Sequence, residues 1–252
     1  MKTFILNGTS RGLGLAMVKE LIKQNETKIF CLVRDTNRIG KLESFESSIQ
    51  IWGCDYSEVN FAINTKDFFN KITYSENVYF INNLSVIEPI DKIQDLDENS
   101  IVENININIT SNLIVIKEFL QAVQTYTNSN VYILNISSGI SKSNIPGLFM
   151  YGLAKAYLDY LTSSLNIEYN IYSNIKVKAT SFYPAGLKTD MQNKLQESLL
   201  KHSLQGYDYS KIFTQYLEDP KKIAEIIYAN FFKNNIGWNE EINSLKNFLS
   251  YD

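Results

Sequence analysis

An open α/β fold, a parallel sheet covered by helices on both faces, is what this chain predicts, and three observations carry that expectation. Short apolar runs alternate with amphipathic segments along the sequence, which is the order of successive right-handed β-α-β crossovers. The first apolar run ends in a glycine-rich turn, Gly8-x-x-x-Gly12-x-Gly14, that leads into a helical pattern. A hydroxyl beyond a later run, Ser138, precedes Tyr151 and Lys155. Spaced four apart, those two share one face of a helix, and strand ends facing helix starts are where such sheets place their chemistry.

Each element has its own warrant. Thr3-Phe4-Ile5-Leu6 reads as the first strand, and Leu15, Val18, Leu21 and Ile22 recur at helical spacing after it. Residues 28–33 form the second strand, with Arg34-Asp35 at its tip, and a short helix follows near 41–45. Ile49-Gln50-Ile51-Trp52 is the third strand, running toward Asp55; Ser57 caps a helix that carries Phe61, Ile63, Phe68 and Phe69. Residues 77–81 form the fourth strand and end in Asn82-Asn83. A long helix over 96–126 comes next, then the fifth strand over 131–136. A loop through Pro146-Gly147 enters the helix of Tyr151, and a sixth strand over 174–182 ends at Pro184. Residues 187–216 are irregular and partly helical, and are assigned as a substrate-loop segment. Asp219-Pro220 opens a last helix as N-cap and first helical residue. The stretch Ile236-Gly237-Trp238-Asn239-Glu240-Glu241-Ile242 is poor strand material, so six strands are clear and a seventh is doubtful. No linker or repeat divides residues 1–252, and the expectation is one doubly wound, Rossmann-type domain.

Composition narrows the function classes. A chain of 252 residues with 44% hydrophobic and 20% charged residues is ordinary for a globular protein with a sizeable core. Its net charge of −3 argues against binding nucleic acid through bulk charge. Cys31 and Cys54 lie in or just after apolar runs and read as reduced core residues. Met1-Lys2 leads straight into a strand-like run and no apolar stretch approaches the roughly 20 residues that span a bilayer. The expected compartment is the cytoplasm, with no membrane partner. No His/Cys/Asp/Glu cluster has ligand spacing, so no metal is expected. His202, the single histidine, falls in the substrate-loop segment and is read as a loop or surface residue.

The glycine turn is a candidate phosphate loop. A strand-loop-helix turn needs glycine where backbone approaches a pyrophosphate and where helix packs on sheet, and the helix N-terminus offers free N–H groups to the negative charge. Ser10, Arg11 and Leu13 belong to the same loop. An acidic residue at the tip of the second strand would hydrogen-bond a ribose 2′-hydroxyl, whereas an arginine accommodates a 2′-phosphate. Arg34 comes first and Asp35 just beyond it, and Arg11 is a second candidate cation. The pair favours NADP(H), with NAD(H) as second choice.

Taken together, Gly8-x-x-x-Gly12-x-Gly14, Asn82-Asn83, Ser138 and Tyr151-x-x-x-Lys155 resemble the short-chain dehydrogenase/reductase family. The segment from Asn135 to Gly139 is most similar to its sepiapterin reductase and benzil reductase branch. The resemblance implies that Tyr151 is the general acid in carbonyl reduction, that Lys155 lowers the phenol pKa and holds the nicotinamide ribose, and that Ser138 orients the substrate oxygen. It implies further that Asn108 helps a water and Lys155 form a proton relay. Asp55 is implied beside the adenine, Asn82 as a brace near the cofactor, and Pro184 and Thr189 beside the nicotinamide. The residue types suit that chemistry, because a phenol that titrates near 10 in water needs a neighbouring cation to act near neutral pH.

Three departures from the family stand out. Leu84-Ser85 follow the paired asparagines in place of Ala-Gly, Pro184-Ala185-Gly186 replaces Pro-Gly, and the expected last strand lacks an apolar run. Phe149, Met150, Tyr183, Met191 and the tyrosines of 207–216 are candidates for an apolar substrate pocket. Ser138 lacks the G-x-S-x-G elbow of a hydrolase nucleophile. The expected protein is an NADPH-dependent carbonyl reductase acting on a small-molecule ketone or diketone, as a homodimer or homotetramer. Alternatives are a 3-oxoacyl-thioester reductase and a non-catalytic NADP(H)-binding sensor.

Overall fold

The computed structural model describes residues 1–36, 49–56, 58, 61–126, 129–172, 175–201, 207 and 217–249. Seven strands form one parallel sheet: β1 (Lys2–Asn7), β2 (Thr27–Val33), β3 (Ile49–Gly53), β4 (Asn77–Asn82), β5 (Asn130–Ile136), β6 (Lys176–Tyr183) and β7 (Ile242–Ser244). They lie in the order β3-β2-β1-β4-β5-β6-β7. Winding therefore reverses between β1 and β4, and the crevice beyond their carboxyl ends is the natural binding position in such a sheet. The helices are α1 (Gly12–Ile22), α2 (Phe61–Asn70), α3 (Glu98–Ile105), α4 (Ser111–Val123), α5 (Phe149–Tyr172), α6 (Asp190–Lys201) and α7 (Pro220–Ile227).

Central strands of a sheet covered on both faces bury successive side chains on opposite sides. In β1, Phe4 and Leu6 enter one core with Met17, Val18 and Leu21 of α1 and Ile223 and Ile227 of α7. Ile5 enters the other, with Phe68 and Phe69 of α2 and Val115, Ile116 and Phe119 of α4. No described helix is long and apolar enough to cross a membrane. Cys31 and Cys54 are buried free thiols.

The doubtful seventh strand is present. Three residues of β7 pair in parallel with Ser181, Phe182 and Tyr183. What holds it is polar: Asn243 Nδ2 donates to Thr180 Oγ1 at 2.9 Å and to the Gly237 carbonyl at 2.8 Å. A strand of this length at a sheet edge needs no apolar run, which is why the periodicity was silent. Glycine is required just before it, since a Cβ at Gly237 would stand 2.3 Å from the Phe231 ring.

The long helix expected over 96–126 is interrupted rather than uniform. Asp97 caps α3 by accepting from the Ser100 N–H at 2.9 Å. A π-helical turn, Asn106–Thr110, then joins α3 to α4; such turns insert one extra residue and re-aim the side chains they carry. Asp219 caps α7 through the Lys221 N–H, with Pro220 in the first turn, as its sequence indicates. Within 187–216, α6 is regular. The expected helix near 41–45, the Ser57 cap and His202 lie outside the described residues.

Candidate active site

A cavity of about 940 Å³ opens beyond the carboxyl ends of the strands. It brings together Gly8, Ser10, Arg11, Gly12 and Leu13 from the first turn, Arg34 at the tip of β2, and Asp55 after β3. Ser138, Tyr151, Lys155, Tyr183, Pro184, Thr189 and Met191 line the same space. Its volume lies near the top of the range of about 300–1,000 Å³ for ligand pockets.

The glycine turn is built as its spacing implies. Gly8 and Gly12 hold φ angles of 63° and 54°, a region that L side chains enter only with strain. A Cβ on Gly14 would stand 2.1 Å from the Gly8 carbonyl oxygen, so this glycine lets α1 close on β1 and does not itself line the cavity. Arg11, the N-cap of α1, makes no side-chain cap, and the first turn holds no acidic residue. The N–H groups at that end are thus available to an anion. A left-handed glycine cradle, an uncapped helix start and a cavity lined by Arg34 and Asp55 as well as by Tyr151 fit a dinucleotide. Arg11 forms an exposed ion pair with Asp190 at 3.7 Å, while Arg34 is exposed at the cavity wall.

At the other end, Ser138 caps a 3-10 turn, Gly139–Lys142, and its hydroxyl accepts from the Ile140 N–H at 3.4 Å. Lys155 Nζ lies 5.4 Å from the centre of the Tyr151 ring and donates to the Ile136 carbonyl at 2.9 Å. Ser137 Oγ donates to the Lys155 carbonyl at 3.2 Å, tying the end of β5 to α5. Burial pushes the Tyr151 phenol up to about 12, opposed by a hydrogen bond with Ser138. Burial also brings Lys155 down to about 8, opposed by the charge of Asp159. The phenol therefore holds its proton at neutral pH, beside a lysine that is still largely cationic.

Besides Gly14, three expected site residues stand behind the cavity or away from it. Asn82 is 1% exposed, accepts from Asn7 Nδ2 at 2.8 Å and donates to Asn135 Oδ1 at 2.9 Å. It braces strands and does not line the cavity. Both ends of the Asn108 amide are taken up by Val86, through its N–H and carbonyl, each at 2.9 Å. Its side chain fixes the segment after β4, and Asn108 too lies outside the lining. Phe149 is 49% exposed. It precedes Tyr151 by two residues, which puts it on the opposite side of α5, so Phe149, contrary to expectation, is not part of the substrate pocket.

Sequence reasoning missed most of the brace. From Asn82 it continues through Asn135 Nδ2 to Thr162 Oγ1 at 2.8 Å and on to Ser181 Oγ at 2.9 Å, crossing β1, β4, β5, α5 and β6. One signal was in view: Asn7, Asn82 and Asn135 each stand near the end of an otherwise apolar run. The substituted loops also show their effect. Leu84 and Ser85 line the cavity, and Ala185 holds a φ of 65° where the family's glycine would be unstrained. The apolar end of the site is built by Ile87, Ile90, Ile140, Leu148, Leu195 and Leu199, with Met191 packed against them.

Comparison with known proteins agrees with this architecture. The family model for short chain dehydrogenases matches residues 2–200. Benzil reductase ((S)-benzoin forming) of Bacillus cereus is 26% identical over 202 residues, covering 79% of this chain and 80% of that protein. A crystal structure of a short-chain dehydrogenase/reductase from Saccharomyces cerevisiae superposes with a TM-score of 0.82 at 22% identity, over 99% of this chain and 100% of that one. A variant of actinorhodin polyketide ketoreductase, determined with NADPH, gives a TM-score of 0.78 at 15% identity over 97% and 95% of the two chains.

Proposed function

The chain belongs to the short-chain dehydrogenase family, and from that premise we propose that it is an NADPH-dependent carbonyl reductase acting on a ketone or diketone. The observation that carries this reading is the convergence of Ser138, Tyr151 and Lys155 on one wall of a cavity whose far end is the glycine cradle. The dinucleotide, when bound, supplies the hydride. Gly8, Gly12 and the start of α1 hold its pyrophosphate. Arg34 takes the 2′-phosphate, since Arg11 already shares its charge with Asp190. Asp55 lies by the adenine, and Pro184 and Thr189 by the nicotinamide.

In the reaction, Ser138 hydrogen-bonds the carbonyl oxygen and Tyr151 gives it a proton as charge develops there. Lys155 supports that transfer by placing positive charge beside the phenol and by holding the ribose. Asn108 shapes the site through Val86. The apolar wall of Ile87, Ile140, Leu148 and Met191 suits a ketone with bulky, uncharged substituents. A homo-oligomer belongs to the same reading, because α5 leaves Leu153, Tyr160, Ile167 and Ile171 exposed. Lys194 is paired with Glu88 at 3.1 Å, which weakens the case for a basic landing patch for an acyl carrier.

Tyr151→Phe tests the mechanism. NADPH consumption is followed across a panel of ketones, diketones and sugars. Removing the acid is expected to cost about 10² to 10⁴ in turnover while leaving NADPH binding nearly intact. Full activity in the variant would sink the assignment.

A further inference from the structure

Behind the β6 side of the cavity lies a polar cluster that the proposed reaction does not use. Tyr183, the last residue of β6, donates its phenol proton to Asp159 Oδ2 at 2.5 Å. Its oxygen lies 2.9 Å from Ser141 Oγ, and because the phenol proton is already committed, Ser141 is the donor. Ser141 sits in the 3-10 turn that Ser138 caps, and its N–H donates to the Ser138 carbonyl at 3.0 Å. Asp159 follows Lys155 by four residues on α5, one turn along the same face. The cluster therefore joins the three elements that carry Ser138, the Tyr151–Lys155 pair and Pro184.

Asp159 is only 5% exposed, and its Oδ1 has no hydrogen-bond partner. Of the charged and titratable groups around it, Lys142 from the 3-10 turn reaches Oδ2 only at 3.9 Å and is itself 63% exposed. Tyr183 faces it from β6 and Lys155 from its own helix. Tyr160 and Glu241 line, with Asp159, Lys142 and Ser163, a small neighbouring cavity of about 310 Å³. A buried carboxylate whose cations are an exposed lysine 3.9 Å away and Lys155 one helical turn off is costly, and an amide of the same shape would accept from Tyr183 at lower cost. The charge itself calls for a reason.

We propose that Asp159 is a positioning residue for the reaction, a buried anion that pins Tyr183 and the Ser138 turn to α5 and faces Lys155 along that helix. The proposal rests on the carbonyl-reductase reading. Its two roles separate cleanly. The hydrogen bond sets where Ser138 stands relative to Tyr151. The negative charge favours the ammonium form of Lys155, against the burial that disfavours it. Without that charge, the coupled Tyr151–Lys155 pair gives up its first proton at lower pH.

Asp159→Asn keeps the shape and an acceptor for Tyr183, and Tyr183→Phe cuts the link but keeps the charge. The readouts are the pH profile of kcat for ketone reduction and the pH titration of the Lys155 ¹⁵Nζ resonance, assigned by its loss in Lys155→Met. In Asp159→Asn, the alkaline limb of kcat and the lysine midpoint should both fall by about one pH unit, tenfold in the proton equilibrium. In Tyr183→Phe, kcat should fall while the lysine midpoint stays in place. A parental lysine midpoint in Asp159→Asn overturns the charge role, and a parental kcat in Tyr183→Phe overturns the pinning role. If the unmodified protein reduces no ketone, the carbonyl-reductase reading fails by itself, and the lysine resonance still decides whether Asp159 faces Lys155.

Discussion

At the scale of single residues, the site divides into side chains whose chemistry can be read from type and spacing and side chains whose work depends on where the fold puts them. Ser138, Tyr151 and Lys155 are of the first kind. A phenol and an amine four apart on a helix and a hydroxyl at a strand tip converge on one cavity wall. Asn108 and Phe149 are of the second kind. A π-helical turn re-aims Asn108 onto Val86, and nothing in the sequence marks such a turn. Arg34 belongs to the first kind by position and carries a prediction. Under the proposed reading, Arg34→Ala removes a charge-assisted contact to a 2′-phosphate, worth about 2 kcal/mol or roughly thirtyfold in Kd. Titration by fluorescence should show NADPH weakened by that factor and NADH nearly unchanged. Equal losses for both would show that Arg34 does not read the phosphate.

At the scale of elements, the central strands were legible because they are buried on both faces and read as apolar runs, whereas β7 was not, because the Asn243 side-chain amide holds it. The long helix α5 was legible on its inner face only. Its outer face carries Phe149, Leu153, Tyr160, Ile167 and Ile171, all exposed. Their spacings of four, seven, seven and four residues set them on one narrow stripe along the helix. A stripe of large apolar side chains on a helix of 24 residues is costly to leave in water. Under the homo-oligomer reading, sedimentation should report a multiple of the 29.0 kDa chain, and Ile167→Lys should shift it toward one chain. A single-chain mass for the unmodified protein at micromolar concentration would remove the oligomer from the reading.

At the scale of the whole molecule, the buried ionisable groups pull stability in opposite directions as pH rises, and their magnitudes decide the outcome. Lys155, 4% exposed, is brought from 10.5 down to about 8 by burial. The unfolded chain binds that proton more tightly, so stability rises with pH between those two values. Cys31, fully buried, is pushed by burial from 9.0 up to about 12. Its contribution is complete below pH 9 and is lost between about 9 and 12. Burial also pushes Tyr79 and Tyr151 from 10.0 up to about 12, with the same sign above pH 10. Each pH unit is worth about 1.4 kcal/mol, so Cys31, on the order of 4 kcal/mol, and Lys155, about 3 kcal/mol, are of similar size, and the tyrosines tip the balance toward loss. A profile of Tm against pH should therefore rise slightly from pH 8 to 9 and fall steeply above 10. Lys155→Met should lose the rise and keep the fall. A Tm that holds level to pH 11 in both proteins would mean that the interior does not keep its thiol and phenols neutral.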